Sequence, residues 1–102
     1  MFTKTIKFFG SEAQVKKWLP QANHLNVTGA YVQTELGHGS NVQGLETTAK
    51  FDLDNDEFVI HTPTITATKF WPGTLGVFAN HAIVFARCIV GENDYGVQPY
   101  IV

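Results

Sequence analysis

One stretch of the sequence limits the possible folds more than any other. Residues 82–90 carry apolar side chains at both odd and even positions, and Arg87 is the only charge among them. An extended chain without a polar face has to be covered on both sides, so this stretch predicts a central strand with material packed on each face. A chain of 102 residues can bury one modest core but not two, and we therefore expect one small domain.

The sequence from residue 26 onward has the composition of a β protein. Thr, Val and Ile are frequent there, and short polar turn segments recur between them, which is typical of antiparallel strands. Polar turns at residues 54–56 and 91–94 predict hairpins. The fold class that we expect is mainly β, a small antiparallel barrel or sandwich of about six strands preceded by one or two short helices. The predicted strands are residues 27–34, 44–53, 58–62, 64–70, 80–90 and 97–102.

The first 25 residues follow a helical pattern instead. Apolar residues recur at spacings of three and four up to Gly10, which should end a first helix. Ser11 and Gln14 have the spacing of a capping box, which predicts the start of a second helix. We expect Pro20 to end that helix.

Neither end of the sequence carries a boundary signal. No capping residue precedes the first helix, and the last predicted strand continues to Val102 without a turn. We interpret both ends as cuts through regular elements, so we expect the chain to be a fragment of a longer protein. The expected organisation is a helical lead-in at residues 1–25, the end of a helical domain, followed by a β domain at residues 26–102.

Charge, cysteine and histidine content exclude several classes of function. The net charge of −2 provides no basic surface for a phosphate backbone, so no nucleic-acid partner is expected. No apolar run is long enough to span a bilayer, and no membrane association is expected. The single cysteine, Cys88, is interpreted as a small buried apolar group, and the four histidines are too far apart in sequence to predict a metal site.

Two loops stand out as candidate binding segments. Residues 35–44 are rich in glycine, but they lack the third glycine of a dinucleotide fingerprint and the Lys-Ser/Thr of a P-loop. In residues 69–76, two adjacent aromatics run into Pro72 and Gly73, a combination that can lie along a planar ligand. On the residues alone, an ordinary strand-to-strand loop and an aromatic core plug remain open as alternatives.

Taken together, the two loops resemble the flavin-contacting segments of acyl-CoA oxidases. Residues 31–41, which read Tyr-Val-Gln-Thr-Glu-Leu-Gly-His-Gly-Ser-Asn, are similar to the first segment. The related acyl-CoA dehydrogenases carry a Thr-Glu-Pro version that ends in Gly-Ser-Asp. Residues 69–73, Lys-Phe-Trp-Pro-Gly, resemble the second segment. The resemblance covers essentially the whole chain and identifies it with the middle β domain of that family.

The resemblance implies FAD as the cofactor and assigns roles to individual residues. Thr34 would hydrogen-bond the flavin ring system, Gly73 would present its backbone N–H near the reactive edge, and Trp71 would pack against the ring. Gln33 and Pro72 would make further contacts. No metal-binding residue is implied.

One residue of the first loop is implied to contact the substrate. Ser40 aligns with the serine that contacts the pantetheine region of the ligand in the dehydrogenases. The catalytic base of the family is a glutamate in a C-terminal helical domain, so no catalytic residue is assigned within these 102 residues. We expect the chain alone to be inactive and to hold FAD weakly.

The implied activity is the oxidation of fatty acyl-CoA by O₂ to trans-2-enoyl-CoA and hydrogen peroxide, in a peroxisomal homodimer. Leu36 and His38 depart from the dehydrogenase pattern, as does the Pro72-Gly73 pair, and these departures favour the oxidase branch. Two alternatives remain open at this point: an acyl-CoA dehydrogenase domain, and a non-catalytic β-barrel binding module.

Overall fold

Two short helices precede five strands in the computed structural model, which describes all 102 residues. The mainly β class with a helical start is confirmed. Neither helix is long and apolar enough to cross a membrane. The helices are α1 (Phe2–Phe9) and α2 (Glu12–Asn23), and the strands are β1 (Gly29–Val32), β2 (Thr48–Asp52), β3 (Glu57–His61), β4 (His81–Val90) and β5 (Asn93–Ile101), with one 3₁₀ turn at Val42–Gly44.

The prediction that residues 80–90 form a central strand is confirmed. Ile83 and Val84 pair with β1 and also with β5, so these two strands lie on opposite edges of β4. The second half of β4 pairs with β2 along the same edge as β1. The first half of β4 is covered on both faces, since Ile83 and Phe85 belong to one core cluster and Ala82 to another.

The sheet is open and mixed, so of the expected antiparallel barrel or sandwich the barrel is wrong, and the pairing is not purely antiparallel. Strand β4 pairs in parallel with β1 and with β2, and only the hairpins β2–β3 and β4–β5 are antiparallel. Strands β1 and β2 pair with successive halves of one edge of β4, β3 pairs with β2, and β5 pairs with the opposite edge of β4. A period-two pattern identifies a strand and its buried face, but it does not identify the partner or its direction.

Residues 64–70 were expected to form a strand, and this prediction is wrong. The Thr64 hydroxyl accepts a hydrogen bond from the Ala67 N–H at 3.2 Å and lies 3.1 Å from the Thr66 hydroxyl. Threonine hydroxyls that bond to nearby backbone groups stabilise turns at the expense of a strand ladder. Only one isolated bridge, between Lys69 and Glu35, remains.

Helix α2 begins as predicted but ends later. Ser11 and Gln14 form the complete capping box, and Gly10 ends α1. Pro20 lies inside α2, which continues to Asn23. A proline removes one backbone donor without removing its own carbonyl, and the carbonyl of Pro20 still accepts the N–H of His24 at 3.0 Å.

The helices cover one face of the sheet and share a core with it. Phe2 and Ile6 of α1 are 6% and 3% exposed and belong to the same cluster as Ile83 and Phe85. The ring of Phe2 lies directly over Gly29, where an added Cβ would come within 1.9 Å of the ring. Helix α1 therefore sits against β1 at a distance that only glycine permits.

The charge in the apolar strand β4 has an anchoring role. The guanidinium of Arg87 donates to the backbone carbonyls of Gln43 and Leu45 and to the carboxylate of Asp94. Arg87 therefore ties the segment that precedes β2 and the β5 strand to β4. Its three partners account for a cation in an otherwise apolar stretch.

Candidate functional site

The two loops singled out in the sequence lie side by side and are hydrogen-bonded to each other. We call residues 33–40 and 66–73 the paired loops. The Phe70 N–H donates to the Thr34 carbonyl at 2.8 Å, and the Leu36 N–H donates to the Thr68 carbonyl at 2.8 Å. The Gly37 N–H donates to the Thr66 carbonyl at 2.9 Å. The two segments that the resemblance predicted as flavin loops therefore form one continuous surface. We call this surface, formed by the paired loops, the ledge.

Backbone contact within the paired loops leaves no room for a side chain at Gly37. An added Cβ there would lie 2.9 Å from the Cβ of Thr66. The conformation at Gly39 is different, because an added Cβ would meet no heavy atom within 4 Å. The close approach of the two loops therefore explains the first glycine but not the second.

A buried ion pair joins the paired loops beneath this ledge. The ammonium of Lys69 lies 3.1 Å from a carboxylate oxygen of Glu35, and the side chains of Lys69 and Glu35 are 12% and 0% exposed. The Glu35 carboxylate also accepts the backbone N–H groups of Glu46 and Thr47 at 2.8 and 2.9 Å. The Lys69 ammonium also donates to the backbone carbonyls of Gln33 and Phe85 at 2.9 and 2.7 Å.

Both members of the ion pair titrate away from their ordinary ranges. Burial alone would raise the pKa of Glu35, but hydrogen bonds from the Glu46 N–H, from Thr47 and from Lys69 outweigh burial and lower that pKa. Burial lowers the pKa of Lys69, and the carboxylate of Glu35 opposes that shift. The carboxylate is thus held ionised by the groups that surround it.

The Glu35 carboxylate also explains why β2 begins later than the sequence predicted. The sequence predicted a strand from residue 44, but β2 begins at Thr48. The N–H groups of Glu46 and Thr47 donate to the Glu35 carboxylate and not to a neighbouring strand. The buried segment before β2 therefore forms one side of the ion-pair site.

The residues with implied flavin roles lie together on the paired loops. Gln33 and Thr34 follow directly after β1, and Trp71 and Gly73 follow directly after the bridge at Lys69. Trp71 is 83% exposed, and its backbone φ of 57° is rare for a bulky residue. Pro72 is half-buried between Trp71 and Gly73.

Gly73 combines a special backbone conformation with open space. Its φ is +55°, and an added Cβ would meet no heavy atom within 4 Å. Its N–H donates to no backbone carbonyl. The left-handed conformation explains the glycine, and both the N–H and the space beside it are available to a ligand.

Ser40 lies at the end of the first of the paired loops. Its side chain is exposed, and its carbonyl accepts the Val42 N–H at 3.0 Å. The neighbouring His38 and Glu46 side chains approach to 3.5 Å and are both about one-third exposed or less. The described contacts do not bring Ser40 to Trp71 or Gly73. No group of three His, Cys, Asp or Glu side chains in the structure could hold a metal ion.

Sequence reasoning missed Glu35 and Lys69 as members of the site. They lie far apart in the sequence, and neither belongs to a spacing motif. One signal could have drawn attention to them: after residue 25 the only basic residues are Lys50, Lys69 and Arg87. Lys69 stands next to two aromatic residues, and a lysine in such surroundings is buried only when an acid pairs with it.

Comparison with known proteins gives matches over the whole chain. The peroxisomal acyl-coenzyme A oxidase 1 of Arabidopsis thaliana is 61% identical over all 102 residues, which are 15% of its length. No family model matches the chain. The 15% coverage means that this chain spans about one-seventh of the length of this curated relative.

Solved structures give the same result for the fold. The structure of Arabidopsis thaliana acyl-CoA oxidase 1 matches with a TM-score of 0.97 and 60% identity, over all of this chain and 16% of that one. The structure of acyl-CoA oxidase-2 of Caenorhabditis elegans, bound with FAD, ascaroside-CoA and ATP, matches with a TM-score of 0.94 and 48% identity, over all of this chain and 15% of that one. This chain is therefore homologous, over its whole length, to one segment of the acyl-CoA oxidase family.

Proposed function

We propose that this chain forms one wall of the FAD and acyl-CoA site of an acyl-CoA oxidase. The single observation that carries the proposal is the ledge of paired loops, because it brings the implied flavin contacts of both loops together. The homologous oxidase-2 of Caenorhabditis elegans, which was solved with FAD, ascaroside-CoA and ATP bound, supports the same assignment. Within this proposal, residues 1–25 are the helical lead-in from a preceding domain, and residues 26–102 are the middle β domain.

The residues of the ledge fit a flavin. The face of Trp71 is open, and the N–H and the space at Gly73 are free of other contacts. A left-handed backbone at a tryptophan costs on the order of 1–3 kcal/mol, and such residues cluster at ligand clamps. An exposed aromatic beside a free N–H offers stacking and hydrogen bonding to a planar heteroaromatic ring.

Each residue has a specific proposed role. Thr34 hydrogen-bonds the ring system, with Gln33 beside it. Gly73 donates its N–H near the reactive edge. Trp71 covers the ring and excludes water, and Pro72 holds the turn between Trp71 and Gly73. These contacts orient the cofactor, and FAD when bound supplies the two-electron oxidation.

The reaction that we propose for the parent protein is the one implied by the resemblance and supported by the relatives' names. Fatty acyl-CoA loses two hydrogens to become trans-2-enoyl-CoA, and O₂ gains them to become hydrogen peroxide. Ser40 binds the pantetheine region of the substrate, and the absence of a side chain at Gly73 leaves a path for O₂. The base that removes the α proton belongs to another part of the parent protein. We propose that this parent is a peroxisomal homodimer. The name of the Arabidopsis relative supports the peroxisomal location.

Exposed apolar side chains support the view that this chain works within a larger assembly. Trp71, Val77 and Phe78 belong to one segment between Lys69 and β4 and are 75% to 83% exposed. Large apolar patches on a protein surface mark sites of contact with other groups. In this proposal, other parts of the oxidase and its cofactor cover them.

Substitution at the ledge tests the proposal in a chimera. The 102 residues replace the homologous segment of the Arabidopsis oxidase. We expect Thr34→Val and Gly73→Trp to raise the dissociation constant for FAD by about tenfold or more, because one removes a hydrogen bond and the other fills the flavin space. Flavin absorbance after dialysis measures the effect, and peroxide release with palmitoyl-CoA measures activity.

A matched control separates this effect from backbone strain. Gly91 has a φ of +60° and open space around it, but it lies in the β4–β5 hairpin. Gly91→Trp introduces the same side chain into the same backbone conformation and should leave FAD binding unchanged. Full flavin content in Thr34→Val and in Gly73→Trp would contradict the proposed function.

The isolated chain provides a second test. We expect it to bind FAD with a dissociation constant weaker than about 1 µM and to release no peroxide with palmitoyl-CoA, because one wall of a site gives few of the contacts that offset the entropy of binding. Titration followed by flavin fluorescence measures the affinity. Submicromolar binding or turnover would contradict this expectation.

A further inference from the structure

The Glu35–Lys69 ion pair has no role in the chemistry proposed above, although it is the most buried pair of charges in the chain. Three acceptors surround the Lys69 ammonium within 3.1 Å: the Glu35 carboxylate and two backbone carbonyls. Each of its three protons therefore has a partner. A buried pair is a poor source of net stability compared with apolar side chains of similar size. We therefore ask which segments of the chain this pair holds in place.

The partners of the ion pair come from the first of the paired loops, from the central strand and from the segment before β2. Lys69 bonds to the carbonyl of Gln33, the residue before Thr34, and to the carbonyl of Phe85 in β4. Glu35 bonds to the segment that precedes β2. The pair thus connects both of the paired loops to the central strand, within four residues of Thr34 and Gly73.

We propose that Glu35 and Lys69 are positioning residues for FAD, which hold the paired loops in the arrangement that binds the flavin before the flavin arrives. This inference rests on the proposed function. Loops that are already ordered lose less conformational entropy when they bind a ligand. Holding the loops in place therefore lowers the dissociation constant for FAD. Neither side chain needs to touch the cofactor for this effect.

The backbone groups around the pair fix which position carries the acid and which carries the base. The carboxylate faces two N–H donors, and the ammonium faces two carbonyl acceptors. Exchange of the two residues would place an ammonium against N–H groups and a carboxylate against carbonyls. The swapped variant Glu35→Lys with Lys69→Glu should therefore fail to restore FAD binding, although it keeps the net charge.

The test uses the same oxidase chimera with three variants: Glu35→Gln, the double variant Glu35→Gln with Lys69→Met, and the swapped variant. The double variant removes both charges, so it leaves no buried ion unpaired and is expected to remain folded. We expect about a tenfold or greater rise in the dissociation constant for FAD in the double variant at 20 °C. We also expect that excess FAD restores its kcat for peroxide release, with the KM for palmitoyl-CoA unchanged.

A purely structural role gives a different result. In that case the thermal midpoint of the double variant falls, but its folded fraction, measured by near-ultraviolet circular dichroism, binds FAD with the affinity of the parent chimera. That outcome would overturn the proposal, and restored binding in the swapped variant would overturn the directional arrangement of the two charges. The control is Glu12→Gln, which breaks the exposed pair with Lys16 and should change nothing.

The two proposals fail in distinguishable ways. If Thr34→Val and Gly73→Trp lower FAD binding but the ion-pair variants do not, only the positioning role is wrong. If none of these variants affects FAD binding, the flavin ledge itself is wrong.

Discussion

The variant Glu35→Gln is expected to lower the free energy of unfolding of this chain by about 3 kcal/mol or more at pH 7. The substitution leaves the Lys69 ammonium in a site where its side chain is 12% exposed, without the charge that balances it. Removing one partner of a buried ion pair is costly because the remaining charge stays out of water. Urea denaturation of the wild-type and variant chains measures the difference.

The same carboxylate predicts a pH dependence. The pKa of Glu35 in the folded state lies below its ordinary value of 4.5, so Glu35 stabilises the fold above that pH, where both states are ionised. As the pH falls from about 4.5 through the folded-state pKa, the unfolded chain binds the proton first and this stability is lost. Stability should fall with a slope of at most about 1.4 kcal/mol per pH unit from this one group.

The control for both effects is the exposed ion pair in α2. Glu12 and Lys16 lie 3.1 Å apart, but their side chains are 86% and 76% exposed. We expect Glu12→Gln to change the free energy of unfolding by less than about 1 kcal/mol. An equal effect of Glu12→Gln and Glu35→Gln, or an unchanged acid slope in Glu35→Gln, would contradict the role of the buried carboxylate.

Gly29→Ala is expected to destabilise the chain by about 3 kcal/mol, although it adds a single methyl group. The new Cβ would come within 1.9 Å of the ring of Phe2, and the atom of that ring bonded to the side-chain Cβ would be only 2.1 Å away. Phe2 is 6% exposed, so its ring has no free space to enter and α1 would have to move away from β1. Overpacking of this kind costs about 1–3 kcal/mol and occasionally more.

Gly39→Ala serves as the matched control for the added methyl group. An added Cβ at Gly39 meets nothing within 4 Å, so this substitution should change stability by less than about 1 kcal/mol. Thermal unfolding followed by circular dichroism compares the two variants. A similar loss for both would show that the contact between Phe2 and Gly29 is not what keeps position 29 small.

Much of the local structure could be predicted because its causes are local. The capping box of Ser11 and Gln14 joins residues three positions apart, and the β4–β5 hairpin turns at Gly91, whose φ is +60°. The two-sided burial of β4 follows from its own side chains. The resemblance also grouped Gln33, Thr34, Trp71, Pro72 and Gly73 as one set, and the structure places these residues on the paired loops.

Other predictions failed where a local pattern competes with partners elsewhere in the chain. The threonines at residues 64–68 have the composition of a strand, but the hydroxyls of Thr64 and Thr66 bond within the segment, which forms turns. Pro20 has the character of a helix end, but α2 continues past it to Asn23. The direction of pairing between β1 and β4 is invisible in either strand, because both directions bury the same alternating side chains.

The sequence by itself determined that β4 is covered on both faces, that two capped or glycine-ended helices precede the sheet, and that two unusual loops share one family resemblance. Those properties depend on the periodicity and chemistry of neighbouring residues. Only the tertiary structure decided that the sheet is open and mixed, and that Glu35 meets Lys69 beneath the paired loops. Strand partners and buried ion pairs join residues distant in sequence, so the path of the whole chain, and not the local pattern, determines which of them meet.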